Sequence, residues 1–178
     1  MRNNRSQVLV DETWDLTDLF LNREQWEEEL RRLTKDINQV TKFKGKLKND
    51  AKTLLSAIKA FEDFQIRIQS VGTYAFLKRS ADGSDPENQA DYAKFAATFA
   101  EIGAELSFFE SELLTIPEET IKQFIEEERE LKVYEKMLND VLEKKPYTLD
   151  PEIEKTLAAL NEVHEAPSVI YETSKAAD

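Results

Sequence analysis

An all-α fold, an antiparallel bundle of several helices with long second and third members, follows from three observations on the 178 residues. Glycine is scarce, four in the chain where a typical domain carries about 7%, so few turns are available. Apolar residues recur at steps of three and four, the helical period. No segment alternates apolar and polar residues as a half-buried strand would.

The elements follow in order. Residues 1–12 read as a flexible N-terminus and 13–178 as one helical domain. Trp14, Leu16, Leu19 and Phe20 form an apolar cluster that should dock a short irregular segment on the core. Asn22 is placed to cap a helix, with Gln25 at capping-box spacing. Trp26, Leu30, Leu33, Ile37 and Val40 then predict a first helix over 23–42. A lysine-rich link around Gly45 leads to Asp50, a cap for a second helix reaching about Lys78. Its stripe is Leu54, Ile58, Phe61, Phe64, Ile68, Val71 and Ala75. Asp85 and Pro86 form a second start signal, since proline at the first helical position loses no needed N–H.

The third helix is the most regular. Tyr92, Phe95, Phe99, Ile102, Leu106, Phe109 and Leu113 form one stripe, and alanines fill the other faces. Small residues allow close approach, so this helix is expected at the centre, with Phe95, Phe99 and Phe109 in the core. Pro117 opens a short acidic helix carrying Ile121, Phe124 and Ile125. A further helix over 130–144 should turn Val133, Tyr134, Met137, Val141 and Leu142 inward. Asp150–Pro151 repeats the start device ahead of Ile153, Leu157 and Leu160. Pro167 is expected to end that helix and open a last one, 168–178.

Composition excludes much chemistry. Lys and Arg number 24 against 36 Asp and Glu, a net charge of −12 that argues against a nucleic-acid phosphate surface. No run of about 18 apolar residues is present, so no membrane span is expected. The first residues lack an apolar signal core, so no secretory leader is expected. No cysteine means no disulfide and no thiolate chemistry. The single histidine, His164, precedes Glu165 like the start of the zinc-binding HExxH helix. The position four residues on is Ser168, and Pro167 intervenes. Glu126, Glu127 and Glu128 are consecutive and fan around a helix rather than converge. Lys42, Lys44, Lys46 and Lys48 with Phe43 read as a solvated link. Gly72 and Gly103 are isolated within helices and make no phosphate loop. From the residues alone no catalytic, metal or substrate-binding residue can be assigned, and the chain reads as a helical interaction module.

A resemblance adds to this. WDLTDLF at 14–20, FKGKL at 43–47, YAFLK at Tyr74–Lys78, LSFFESELLTIPEE at 106–119, KPYTLDPEIEKTLAAL at 145–160 and IYETSKAAD at 170–178 occur in an order that resembles the N-terminal region of oligoendopeptidase F. That family is one of zinc metallopeptidases of the thimet-oligopeptidase-like group. The resemblance implies a cytoplasmic parent enzyme that hydrolyses short peptides, with zinc held by an HExxH helix in a later domain. It implies that this segment forms one wall of the substrate channel and is not itself catalytic. Its partners would then be the catalytic domain of the same polypeptide and short peptides, with no nucleic acid and no membrane. Self-association of the isolated segment is a further expectation. None of the family's metal or catalytic positions has a counterpart here, and the chain is expected to be a truncated piece. The alternative is a stand-alone helical adaptor without enzymatic activity.

Overall fold

The computed structural model describes residues 8, 9 and 12–147, and beyond them positions 153, 160, 163, 164, 166–168, 170, 171 and 174. Among the described residues the fold is all-α, without strands. Most of the expected flexible terminus, the Asp150–Pro151 start and Leu157 lie outside the described residues.

The first helix starts as its sequence signals. Asn22 Oδ1 accepts from Gln25 N–H at 3.0 Å and opens α1, Arg23–Asp36. The reciprocal bond of the capping box is displaced by one residue, because Gln25 Oε1 accepts from Leu21 N–H at 3.3 Å. Trp26, Leu30 and Leu33 are buried. A tight turn at Ile37 interrupts the expected 23–42 helix, and α2, Asn38–Thr41, completes it with Val40 buried. Gly45 then turns the link with φ +77°, a left-handed conformation that glycine adopts without strain.

The long α3, Ala51–Ala81, is the axis of the fold. Its 31 residues span about 46 Å. Asp50 caps it, accepting from Thr53 N–H at 2.8 Å and from Thr53 Oγ1 at 2.7 Å. Leu54, Ile58, Phe64, Ile68, Val71 and Ala75 are all buried, and α1 and α2 pack against it. Burying each such side chain contributes about 1.5–3 kcal/mol. Trp26 ties α1 to this axis. Its ring stacks on Tyr74 at 6.0 Å, and its indole N–H donates to Val71 O at 2.9 Å. Phe20 meets the same Tyr74 edge-on at 5.5 Å, which docks the irregular WDLTDLF segment.

Antiparallel to α3 runs α4, Pro86–Leu106, with Asp85 Oδ1 accepting from Glu87 N–H at 2.7 Å. The expected third helix is divided. A break at Ser107 separates α4 from α5, Phe108–Thr115. Ser107 Oγ bonds Ala104 O at 2.8 Å, a local competitor for a helical carbonyl. Only the C-terminal half of the aromatic stripe is core. Ile102, Leu106, Phe109 and Leu113 are buried, Phe95 is half-buried, and Phe99 is 48% exposed. The central helix is therefore α3, and the expectation for the third helix is corrected. Along the first turns of α4 the buried positions are polar: Asp91 meets Arg23 of α1, and Asn88 bonds the carbonyls of Lys78 and Asp82.

Pro117 occupies the cap position, and α6 runs Glu118–Glu127 with Ile121 and Phe124 buried. A 3-10 segment, Arg129–Tyr134, precedes α7, Glu135–Lys144. Its three-residue turn shifts the helical phase. Leu131 and Leu138 are buried, whereas Val133 is 81% exposed and Met137 is also exposed. The inward set expected for this helix is thus corrected at those two positions, and Tyr134, Val141 and Leu142 pack at the flank. The described positions 163, 164, 166–168, 170, 171 and 174 are helical. Pro167 itself is helical.

Candidate functional site

The charged residues mostly hold helices together. Arg23 donates to Asp91 through Nε at 2.8 Å and Nη2 at 2.7 Å, and the Asp91 side chain is 1% exposed. That bond holds the Arg23 guanidinium firmly protonated, helped by Glu87 and Glu27. Asn88 Nδ2 donates to Lys78 O and Asp82 O, closing the turn between α3 and α4. Arg67 on α3 reaches Glu29 at 2.6 Å and Asp36 at 2.9 Å on α1. Burial opposes its charge, but bonds to Glu29 and Asp36 outweigh that effect and raise its pKa. Lys94 pairs with Glu27 at 3.0 Å, which lowers the Glu27 carboxyl. Tyr134 donates to Glu62 Oε2 at 2.6 Å, and this bond pushes the phenol up to about 12.

The residues singled out in the sequence do not assemble into a reactive centre. Glu127 accepts from Gln123 within its own helix, while Glu128 caps the 3-10 segment. Lys46 Nζ donates to Lys42 O, and Lys42 lies 5.0 Å from the Phe43 ring centroid. The link itself is pinned by Gly45 N–H, which donates to Glu112 on α5. His164 is exposed and helical, and its N–H donates to Leu160 O. Among the described residues no group of three or more His, Cys, Asp or Glu is placed to hold a metal ion. With no cysteine, one exposed imidazole and Ser168 at its i+4 position, these residues do not fit a zinc site. No helix among the described residues is long and apolar enough to cross a membrane.

The surface among the described residues also offers exposed apolar side chains and a groove. α3 exposes Gln65, Ile66, Gln69 and Phe76 on one side. Ala93, Ala96, Ala97, Phe99, Ala100, Gly103 and Ala104 are exposed on α4. The two helices meet at Gly72, where a Cβ would lie 2.6 Å from Phe95 Cζ. Ile66 and Phe76 are 60% and 55% exposed. Phe99, expected in the core, is exposed, and the available signal was the run of alanines beside it on α4. The groove, about 400 Å³, lies between the WDLTDLF segment and the α3–α4 turn.

The chain and its helical fold have counterparts among known proteins. The Oligopeptidase F family model matches residues 112–178. An oligoendopeptidase F homolog of Lactococcus lactis is 30% identical over the whole chain, which spans 30% of that protein. The group B oligopeptidase PepB of Streptococcus agalactiae is 31% identical, again over the whole chain and 30% of its own length. The crystal structure of oligoendopeptidase-F from Enterococcus faecium superposes with a TM-score of 0.69 at 28% identity, covering 82% of this chain and 29% of that one. The chain thus spans about a third of the length of the curated relatives it matches. Sequence along the full chain and a shared helical fold converge, and the chain belongs to the oligoendopeptidase F family, as its N-terminal region.

Proposed function

We propose that this domain, residues 13–178, is the non-catalytic helical lobe of a cytoplasmic zinc oligopeptidase and forms a wall of the channel that admits short peptides. The observation that carries this reading is the set of large apolar side chains left exposed on α3 and α4, Ile66, Phe76 and Phe99. A surface of that kind is suited to contact with further polypeptide. Helices tied together by Trp26, Arg67 and the Arg23–Asp91 pair give the wall its stiffness. The lobe's part is steric and positional: it limits access to the channel and helps close over a bound peptide. Metal binding and bond cleavage belong to polypeptide outside these residues, and no step of the reaction is assigned to this chain.

The test joins the lobe to the polypeptide encoded after Asp178. The reading predicts an open frame containing HExxH, and cleavage of short peptides by the joined protein. Charged substitutions at two of these positions, Phe99→Asp with Phe76→Asp, should lower that cleavage while the lobe keeps its helicity. A stop codon close after Asp178 in the native gene, together with a protein partner recovered by pull-down, would replace the reading with a stand-alone adaptor.

A further inference from the structure

The groove beside the α3–α4 turn combines an aromatic floor with an acidic rim. Phe20 and Tyr74 meet at its base, and Trp14 and Leu21 stand on its edge, each 68% exposed. Large apolar side chains left this open at the mouth of a cavity of about 400 Å³ are contact surface for a ligand. Asp15, Asp82 and Asp85 line the same space, against one cation, Lys78. The three carboxylates are oriented from below. Asp15 Oδ1 accepts from Thr17 N–H and Oγ1, Asp82 Oδ1 from Ser84, and Asp85 Oδ1 from Glu87 N–H. The Thr17 bonds lower the Asp15 carboxyl. The floor already carries one ammonium group, since Lys78 Nζ lies 5.7 Å from the Tyr74 ring centroid.

We propose that this groove binds a short peptide through a cationic side chain, Arg or Lys, flanked by apolar residues. Charge decides the ligand class: the rim attracts a cation and repels an acidic peptide, while Trp14 and Leu21 cover the neighbouring apolar side chains. A bare metal ion does not suit the site, because the carboxylates are not gathered into a metal-holding group. The choice of a peptide rests on the peptide-handling role proposed above. The binding itself stands on the groove alone.

The experiment titrates the 178-residue chain with the capped tripeptide Leu-Arg-Leu and reads tryptophan fluorescence. Trp26 is fully buried, so the change reports Trp14. Isothermal calorimetry on the same peptide gives an independent Kd. Saturable binding is expected, roughly tenfold or more tighter than for Leu-Gln-Leu or Leu-Glu-Leu, and weakened by added salt. Asp15→Asn with Asp82→Asn keeps the local hydrogen bonds and should weaken Leu-Arg-Leu roughly tenfold with helicity unchanged. No saturation at millimolar peptide, equal affinity for the three peptides, or indifference to the double substitution would overturn the proposal. Sedimentation showing that a second copy of the chain occupies the groove, with no displacement by peptide, would overturn it too. All these readouts are independent of zinc content and cleavage, so a failure here is distinct from a failure of the channel-wall reading.

Discussion

Removing either partner of the Arg23–Asp91 pair should destabilise the lobe unequally. The Asp91 side chain is 1% exposed, while that of Arg23 is 36% exposed. In Arg23→Ala the carboxylate stays in the interior without its cation, a change that costs about 3–5 kcal/mol in buried pairs. In Asp91→Ala the guanidinium can turn to water and still has Glu27 at 3.5 Å and Glu87 at 3.4 Å. Its loss should be about 1–2 kcal/mol. A gap of about 2 kcal/mol corresponds to roughly 4–8 °C in Tm for a chain of this size. Urea unfolding at neutral pH, followed by circular dichroism, measures both variants. The double variant, Arg23→Ala with Asp91→Ala, should be less damaged than the sum of the two and close to Asp91→Ala alone, because removing Asp91 relieves the stranded charge. Equal losses, or a larger loss for Asp91→Ala, would refute the claim that burial of the carboxylate sets the cost.

Other outcomes follow from the packing. Gly72→Ala places a methyl 2.6 Å from Phe95 Cζ and should cost about 1–3 kcal/mol. Adding Phe95→Leu should recover part of it in the same urea assay. Leu138→Ala should cost about 2–5 kcal/mol, because the side chain is 1% exposed. Val133→Ala, at an 81% exposed position, should change stability by less than about 0.5 kcal/mol. Tyr134 is held protonated by Glu62, so its contribution is present below the ordinary tyrosine range and is lost as pH rises toward about 12. Tyr134→Phe should remove that alkaline loss, read as Tm against pH. At the acid end Asp15, Glu27, Asp50 and Glu118 are lowered by their bonds to Thr17, Lys94, Thr53 and Lys122. Their contribution is present above the ordinary carboxylate range and is lost as pH falls through the lowered values.

Helix starts were the most legible feature. Asn22, Asp50 and Asp85 all cap where their spacing indicates, because a cap depends on the backbone within three residues. Burial was legible wherever the helix kept its regular period, as along Trp26–Leu33 and Leu54–Ala75. It failed where the phase changed. The 3-10 turn at Arg129–Tyr134 moved the inward stripe to Leu131 and Leu138, and periodicity alone carries no sign of such a turn. The aromatic stripe of α4 misled for a different reason. Tertiary partners decide which side is covered, and Arg23 drew Asp91 inward and left Phe99 outside. The groove could not be read from the sequence, because Trp14, Tyr74 and Asp82 come together only when the WDLTDLF segment docks on the end of α3.

In the function proposed above, this lobe shapes access to the reaction and supplies none of its chemistry. Zinc content of the purified, metal-equilibrated chain, measured by atomic emission alongside cleavage of a short fluorogenic peptide, tests it most directly. Zinc far below one per chain and no chelator-sensitive cleavage are expected. Close to one zinc per chain, with cleavage that a chelator abolishes, would contradict it.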